Sequence, residues 1–112
     1  MTDTYSMNIE SDNITLVRAL AALDAENLSI AERSYGDSWK KRGGVGAFMM
    51  LARKWDRIEN QTEKEGYDIF NAIAANPTKT GIIDDIRDLR RYLLLVESEM
   101  IRTGVLKDGS DG

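Results

Sequence analysis

The chain has no cysteine, no histidine and a single proline, Pro77. Without cysteine there is no disulfide and no thiolate metal site. Without histidine there is no imidazole general base, no Ser-His triad and no His-ligated zinc within the chain. A bound metal would have to be a hard cation held by carboxylates. One proline leaves long periodic stretches uninterrupted, which favours helices. No apolar run approaches the roughly 18 residues that span a bilayer. Residues 1–10 lack the basic and apolar regions of a signal peptide. A cytoplasmic protein with no membrane partner is expected.

What is present is charge of both signs, unevenly placed. The net charge is −4, which argues against general nucleic-acid binding. Between Arg33 and Arg57, however, seven basic residues stand against the two acids Asp37 and Asp56, a local charge of +5 that leaves −9 elsewhere. Such an excess points to a specific anion rather than a long polyanion.

The hydrophobic spacing predicts an all-α fold, a small four-helix arrangement. Residues 1–12 read as a loose N-terminus, 13–104 as one helical domain and 105–112 as a frayed tail. The first helix runs over 13–33 with a broad apolar face and Asp12 or Asn13 as its cap. A glycine-rich loop follows to Val45. The second helix runs over 45–64, with Phe48, Leu51, Ala52, Trp55 and Ile58 as its stripe and Gly66 beyond its end. A short helix covers 67–75, and Asn76-Pro77 breaks it. The last covers 82–102 with the stripe Ile82, Ile86, Leu89, Leu93, Val96 and Met100, and Gly104 stops it. Apolar residues outside the stripes, such as Met49, Met50, Leu94 and Leu95, point to a helical homo-oligomer.

Three features carry candidate chemistry. The loop Tyr35-Gly-Asp-Ser-Trp39-Lys40-Lys41-Arg42-Gly43-Gly44-Val-Gly46 delivers cations and glycines into a helix N-terminus. Free amides and the helix dipole there favour a phosphate, and Lys40, Lys41 and Arg42 add charge-assisted hydrogen bonds. It is not a Walker A loop, because the GxxxxGK[ST] order is absent. The same segment also reads as a plain solvated turn. The second feature is Arg53-Lys54-Trp55-Asp56-Arg57-Ile58-Glu59, where Glu59 falls about 40° from Trp55 and so is expected to face inward. The third is the last helix, where Asp85 falls about 40° and Tyr92 about 60° from Leu89. A carboxylate there needs either a metal or a basic partner, Arg57 or Arg53. Asp56-x-x-Glu59 and Asp85-x-x-Asp88 together form a candidate four-carboxylate Mg²⁺ cage on facing helices.

The run Tyr35-Gly36-Asp37-Ser38-Trp39, followed by Arg53-Lys54 and Arg57 and by Asp85-x-x-Asp88-Leu89 and Tyr92, resembles the nucleotide modification associated domain family (type 1) of phages and bacteria. The similarity spans about residues 30–96. It implies a link to nucleotide metabolism and, for a phage-encoded chain, the host cytoplasm. The acid spacing is also similar to that of the all-alpha NTP pyrophosphatases, MazG-like and dUTPase-like, which bind Mg²⁺ through Glu-x-x-Glu and Glu-x-x-Asp. Here Asp stands at the first and third of those positions, and Arg57 and Arg87 lie inside the two pairs.

Three functions stay open at this point. The first is binding of a nucleotide-like phosphate ligand by Tyr35, Trp39, Lys40, Lys41, Arg42, Gly43, Gly44, Arg53, Lys54, Arg57 and Tyr92. Mg²⁺ at Asp56, Glu59, Asp85 and Asp88 would extend this to pyrophosphohydrolysis of a (d)NTP, with a metal-activated water as nucleophile. The second is a non-catalytic phage protein that sequesters a nucleotide immune signal. The third is a structural helical interaction module.

Overall fold

The computed structural model describes residues 9–75 and 81–106. Of the loose N-terminus expected over 1–12, residues 1–8 lie outside the described residues, and Asp12 already opens a helix. The Asn76-Pro77 break and residues 107–112 of the tail expected over 105–112 also lie outside them. Among those described there are four helices and no strand. They are α1 (Asp12–Tyr35), α2 (Gly43–Glu63), α3 (Ile69–Ala75) and α4 (Gly81–Arg102), with a 3₁₀ turn at Ser38–Lys40 between α1 and α2. No helix is long and apolar enough to cross a membrane among the described residues. Backbone contacts divide the chain into two compact units, Met1–Asp37 and Ser38–Gly112.

The first unit is α1. Its cap is Ser11, one residue before those expected, and the Ser11 hydroxyl accepts from the Ile14 amide at 3.2 Å. Gly36, at φ +62°, ends the helix by donating its N–H to the Glu32 carbonyl at 2.8 Å. Glycine is the residue that adopts this left-handed angle without steric cost. The broad apolar face read from the sequence is not a buried one. Ile14, Leu16, Val17, Leu20, Leu23 and Ile30 are all exposed, and the buried residue of α1 is Asp24.

The second unit holds the apolar core. Ile58 of α2, Ala72 of α3 and Ile82 of α4 are buried together, and Ile69, Ile73, Ile86 and Leu89 pack against them. The main packing is α2 on α4. Thr62 is buried beside this core, and its hydroxyl donates to the Ile58 and Glu59 carbonyls, each at 3.0 Å. Past α2 the chain reverses through Gly66 and Tyr67, both at positive φ, with the Tyr67 amide on the Thr62 carbonyl at 2.9 Å. Asp68 then caps α3 by accepting from the Asn71 amide at 3.0 Å.

The phase of α2 differs from the sequence reading. Phe48 and Trp55 are exposed, and the buried side runs through Ile58 with Leu51, Lys54 and Gln61 half-buried beside it. The cause is polar. Lys54 and Gln61 turn toward α4 to reach its buried carboxylate (below), and this rotates Trp55 and Glu59 outward. On α4 the apolar stripe holds for Ile82, Ile86 and Leu89, while Leu93 and Met100 are exposed.

Candidate functional site

The start of α2 is set by the preceding turn. The Lys41 amide donates to the Ser38 carbonyl at 3.2 Å, closing the 3₁₀ turn that holds Trp39 half-buried. Arg42 occupies the cap position of α2 but makes no side-chain cap bond. The first helical hydrogen bond runs from the Gly46 amide to the Arg42 carbonyl at 3.3 Å. The amides of Gly43, Gly44 and Val45 therefore precede any intrahelical acceptor, as at every helix N-terminus.

Beside this end, wholly within the second unit, lies a groove of about 730 Å³. Ser38 and Trp39 of the turn, Lys41 and Arg42 of the loop, and Tyr92 of α4 line it. From α2 it takes Val45, Gly46, Met49, Met50, Arg53 and Lys54. The lining thus carries four cations, two aromatic rings and no acid. Lys41, Arg42 and Arg53 make no ion pair or hydrogen bond through their side chains among the described residues. Lys54 is satisfied by Asp88 at 2.9 Å.

Gly46 is required for this geometry. A Cβ there would stand 2.6 Å from the Arg42 Cβ, below any real contact, and a Cβ has no flexible chain through which to yield. Gly46→Ala is expected to displace Arg42 and to weaken any anion held in the groove by at least about tenfold, the lower end of what one charge-assisted hydrogen bond is worth. Gly44→Ala, with open space around its added methyl, is expected to bind as the parent does. Calorimetric titration of the two variants makes the comparison; equal weakening by both would remove the steric account.

The other predicted cations are placed differently. Lys40 turns to α4, where its Nζ meets both oxygens of Glu99 at 3.0 and 3.1 Å, and Arg102 binds the same carboxylate. This strap ties the Trp39 turn to α4. The Arg102 and Lys40 hydrogen bonds hold the Glu99 carboxyl below its ordinary value of 4.5. A lowered folded-state pKa means that the strap is fully formed above pH 4.5 and is lost as pH falls through the folded value. The Trp39 indole resonance should titrate with a midpoint below 4.5, and a midpoint above 4.5 would refute the assignment. Arg57 bonds Asp85 and does not line the groove. Gly43 and Gly44 stand at the helix start but outside the lining. Tyr35 is the last residue of α1, exposed, in the first unit.

The four candidate metal ligands are not brought together. Asp85 is buried, with Oδ1 accepting from Arg57 Nε at 2.9 Å and Oδ2 from Gln61 Nε2 at 2.8 Å. Lys54 Nζ lies 3.8 Å from Oδ1. Asp88 faces Lys54. Asp56 and Glu59 are exposed and line a separate recess with Glu63 and Tyr67. Glu59 therefore does not face inward as its spacing predicted, because the rotation of α2 that brings Lys54 and Gln61 to Asp85 carries Asp56 and Glu59 away. Among the described residues no group of three or more acids is placed to hold a metal ion. The donor set does not fit a Mg²⁺ cage: both Asp85 oxygens already face nitrogen donors.

No family model, curated protein or solved structure matches this chain. The site therefore rests on its own chemistry. The sequence reading missed Ser38, Val45, Gly46, Met49 and Met50 as groove residues. A signal was present: Arg42, Gly46, Met49, Met50 and Arg53 recur at helical spacing on one face, continuing the cationic loop into α2.

Proposed function

We propose that the groove binds a small nucleotide-like anion. The observation that carries this reading is a set of three cations without acidic partners, Lys41, Arg42 and Arg53, lining one groove with Trp39 and Tyr92 and no carboxylate. Phosphate oxygens accept charge-assisted hydrogen bonds from such groups, and the amide end of α2 adds a favourable dipole. A planar base finds aromatic faces in Trp39 and Tyr92 and apolar contact in Met49 and Met50.

Binding without chemistry is the version these observations favour over Mg²⁺-dependent hydrolysis. Asp85 is engaged by Arg57 and Gln61, which supports a structural role for it over metal ligation. A chain that holds a nucleotide intact acts as a sequestering protein, the role open to a phage protein that removes a nucleotide signal. Self-association is part of the proposal, since Phe48, Met49, Trp55, Phe70 and Leu94 are exposed on the second unit.

The test is calorimetric titration with a panel of NTPs, dNTPs and cyclic nucleotides, with and without Mg²⁺, followed by chromatography of the recovered ligand. Binding with the ligand returned intact supports sequestration. Turnover that needs Mg²⁺ establishes the hydrolase instead. No binding across the panel leaves the helical interaction module as the surviving reading.

A further inference from the structure

We infer that two copies of this chain pair through α2, antiparallel, on a two-fold axis beside Ala52. This rests on the self-association reading above and not on the nucleotide reading. Val45, Phe48, Ala52, Trp55 and Glu59 recur at intervals of three, four, three and four residues. At about 100° per residue they occupy one arc of roughly 80° along α2. This is the seam spacing of paired helices. Its large members are exposed: Val45 by 78%, Phe48 by 64% and Trp55 by 54%. The small Ala52 sits at the centre, where two helix backbones would approach most closely.

Charge selects the direction. The N-terminal end of α2 follows Lys41 and Arg42 and carries the positive pole of the helix. The C-terminal end carries Glu59 and Glu63, both exposed and without ion pairs among the described residues. Parallel pairing would set cations on cations and acids on acids. Antiparallel pairing about Ala52 sets the positive N-terminal end of one helix opposite Glu63 of the other, Val45 opposite Glu59, and Phe48 beside Trp55. The contact is isologous, so it closes as a dimer and does not propagate. Arg53 lies about 100° round the helix from Ala52, so the groove keeps a cation of its own.

The absence of native cysteine makes cross-linking a clean test. A disulfide requires Cα atoms within about 7 Å. In the proposed pair position 52 meets its own copy, while the two copies of position 48 lie about 12 Å apart along the axis. Ala52→Cys should oxidise to a covalent dimer at least tenfold faster than Phe48→Cys. Independently, Glu63→Lys should raise the dimer dissociation constant at least tenfold in sedimentation equilibrium. A parent chain that stays monomeric at millimolar concentration overturns both this inference and the self-association reading. A dimeric parent in which Phe48→Cys cross-links as fast as Ala52→Cys, or in which Glu63→Lys changes nothing, overturns this pairing and leaves self-association standing.

Discussion

Arg57→Met is expected to lower the unfolding free energy by about 3 kcal/mol, the low end of what breaking a buried ion pair costs. The Asp85 side chain is 2% exposed and that of Arg57 is 55% exposed. Removing the arginine therefore strands the buried partner, whose carboxylate keeps only Gln61 at 2.8 Å and Lys54 at 3.8 Å. Those two remaining donors are why the low end applies. For a unit of this size the midpoint of thermal unfolding should fall by roughly 10–20 °C. The reverse deletion is milder, because an unpartnered Arg57 can rehydrate. Arg57→Met combined with Asp85→Leu should recover most of the loss, since apolar groups of similar volume replace buried ion pairs without penalty. Urea denaturation of the single and double variants measures this. A single variant within 1 kcal/mol of the parent, against the roughly 3 expected, would show that Asp85 is not held as described.

Loss of groove cations should affect binding far more than folding. Arg42→Ala and Arg53→Ala each remove a charge without a partner among the described residues. Each should weaken a nucleotide triphosphate by about ten- to a hundredfold, from a charge-assisted hydrogen bond worth about 1.5–3 kcal/mol. The double variant should lose somewhat less than the product, because the two cations share one ligand. Stability should stay within about 0.5 kcal/mol, as for surface substitutions away from buried networks. Affinity of the parent should fall with added salt, through screening of exposed charges. Arg87→Ala serves as the control: Arg87 is exposed and lies outside the groove. Equal affinity in Arg42→Ala, Arg53→Ala and Arg87→Ala would end the groove reading.

The helix count and most helix bounds are local properties, and they were legible. Gly36, Gly66 and Gly104 all adopt positive φ, as turn-forming glycines do. The cationic loop leading into α2 was equally legible, because composition alone marks it. The phase of α2 was not. An apolar wheel centred on Phe48, Trp55 and Ile58 assumes that hydrophobic residues alone choose the buried side. In this unit the choice is shared with Asp85, whose burial demands donors, and Lys54, Arg57 and Gln61 supply them. The resulting rotation exposes Glu59 and Trp55, separates Asp56 and Glu59 from Asp85 and Asp88, and frees the flank that carries the Phe48–Trp55 seam.

The cationic, glycine-rich segment that first stood out as a local charge of +5 is thus two things in space. Lys41, Arg42, Arg53 and Lys54 line a groove with Trp39 and Tyr92, while Lys40 and Arg57 are taken up by Glu99 and Asp85 on α4. Sequence by itself determined the helices, the absent chemistries and the presence of surplus positive charge, because these depend on residue type and near neighbours along the chain. Only the tertiary structure decided which cations are neutralised. That depends on which carboxylates α4 brings within hydrogen-bonding reach of α2 and the turn before it, and no spacing along one helix contains that distance.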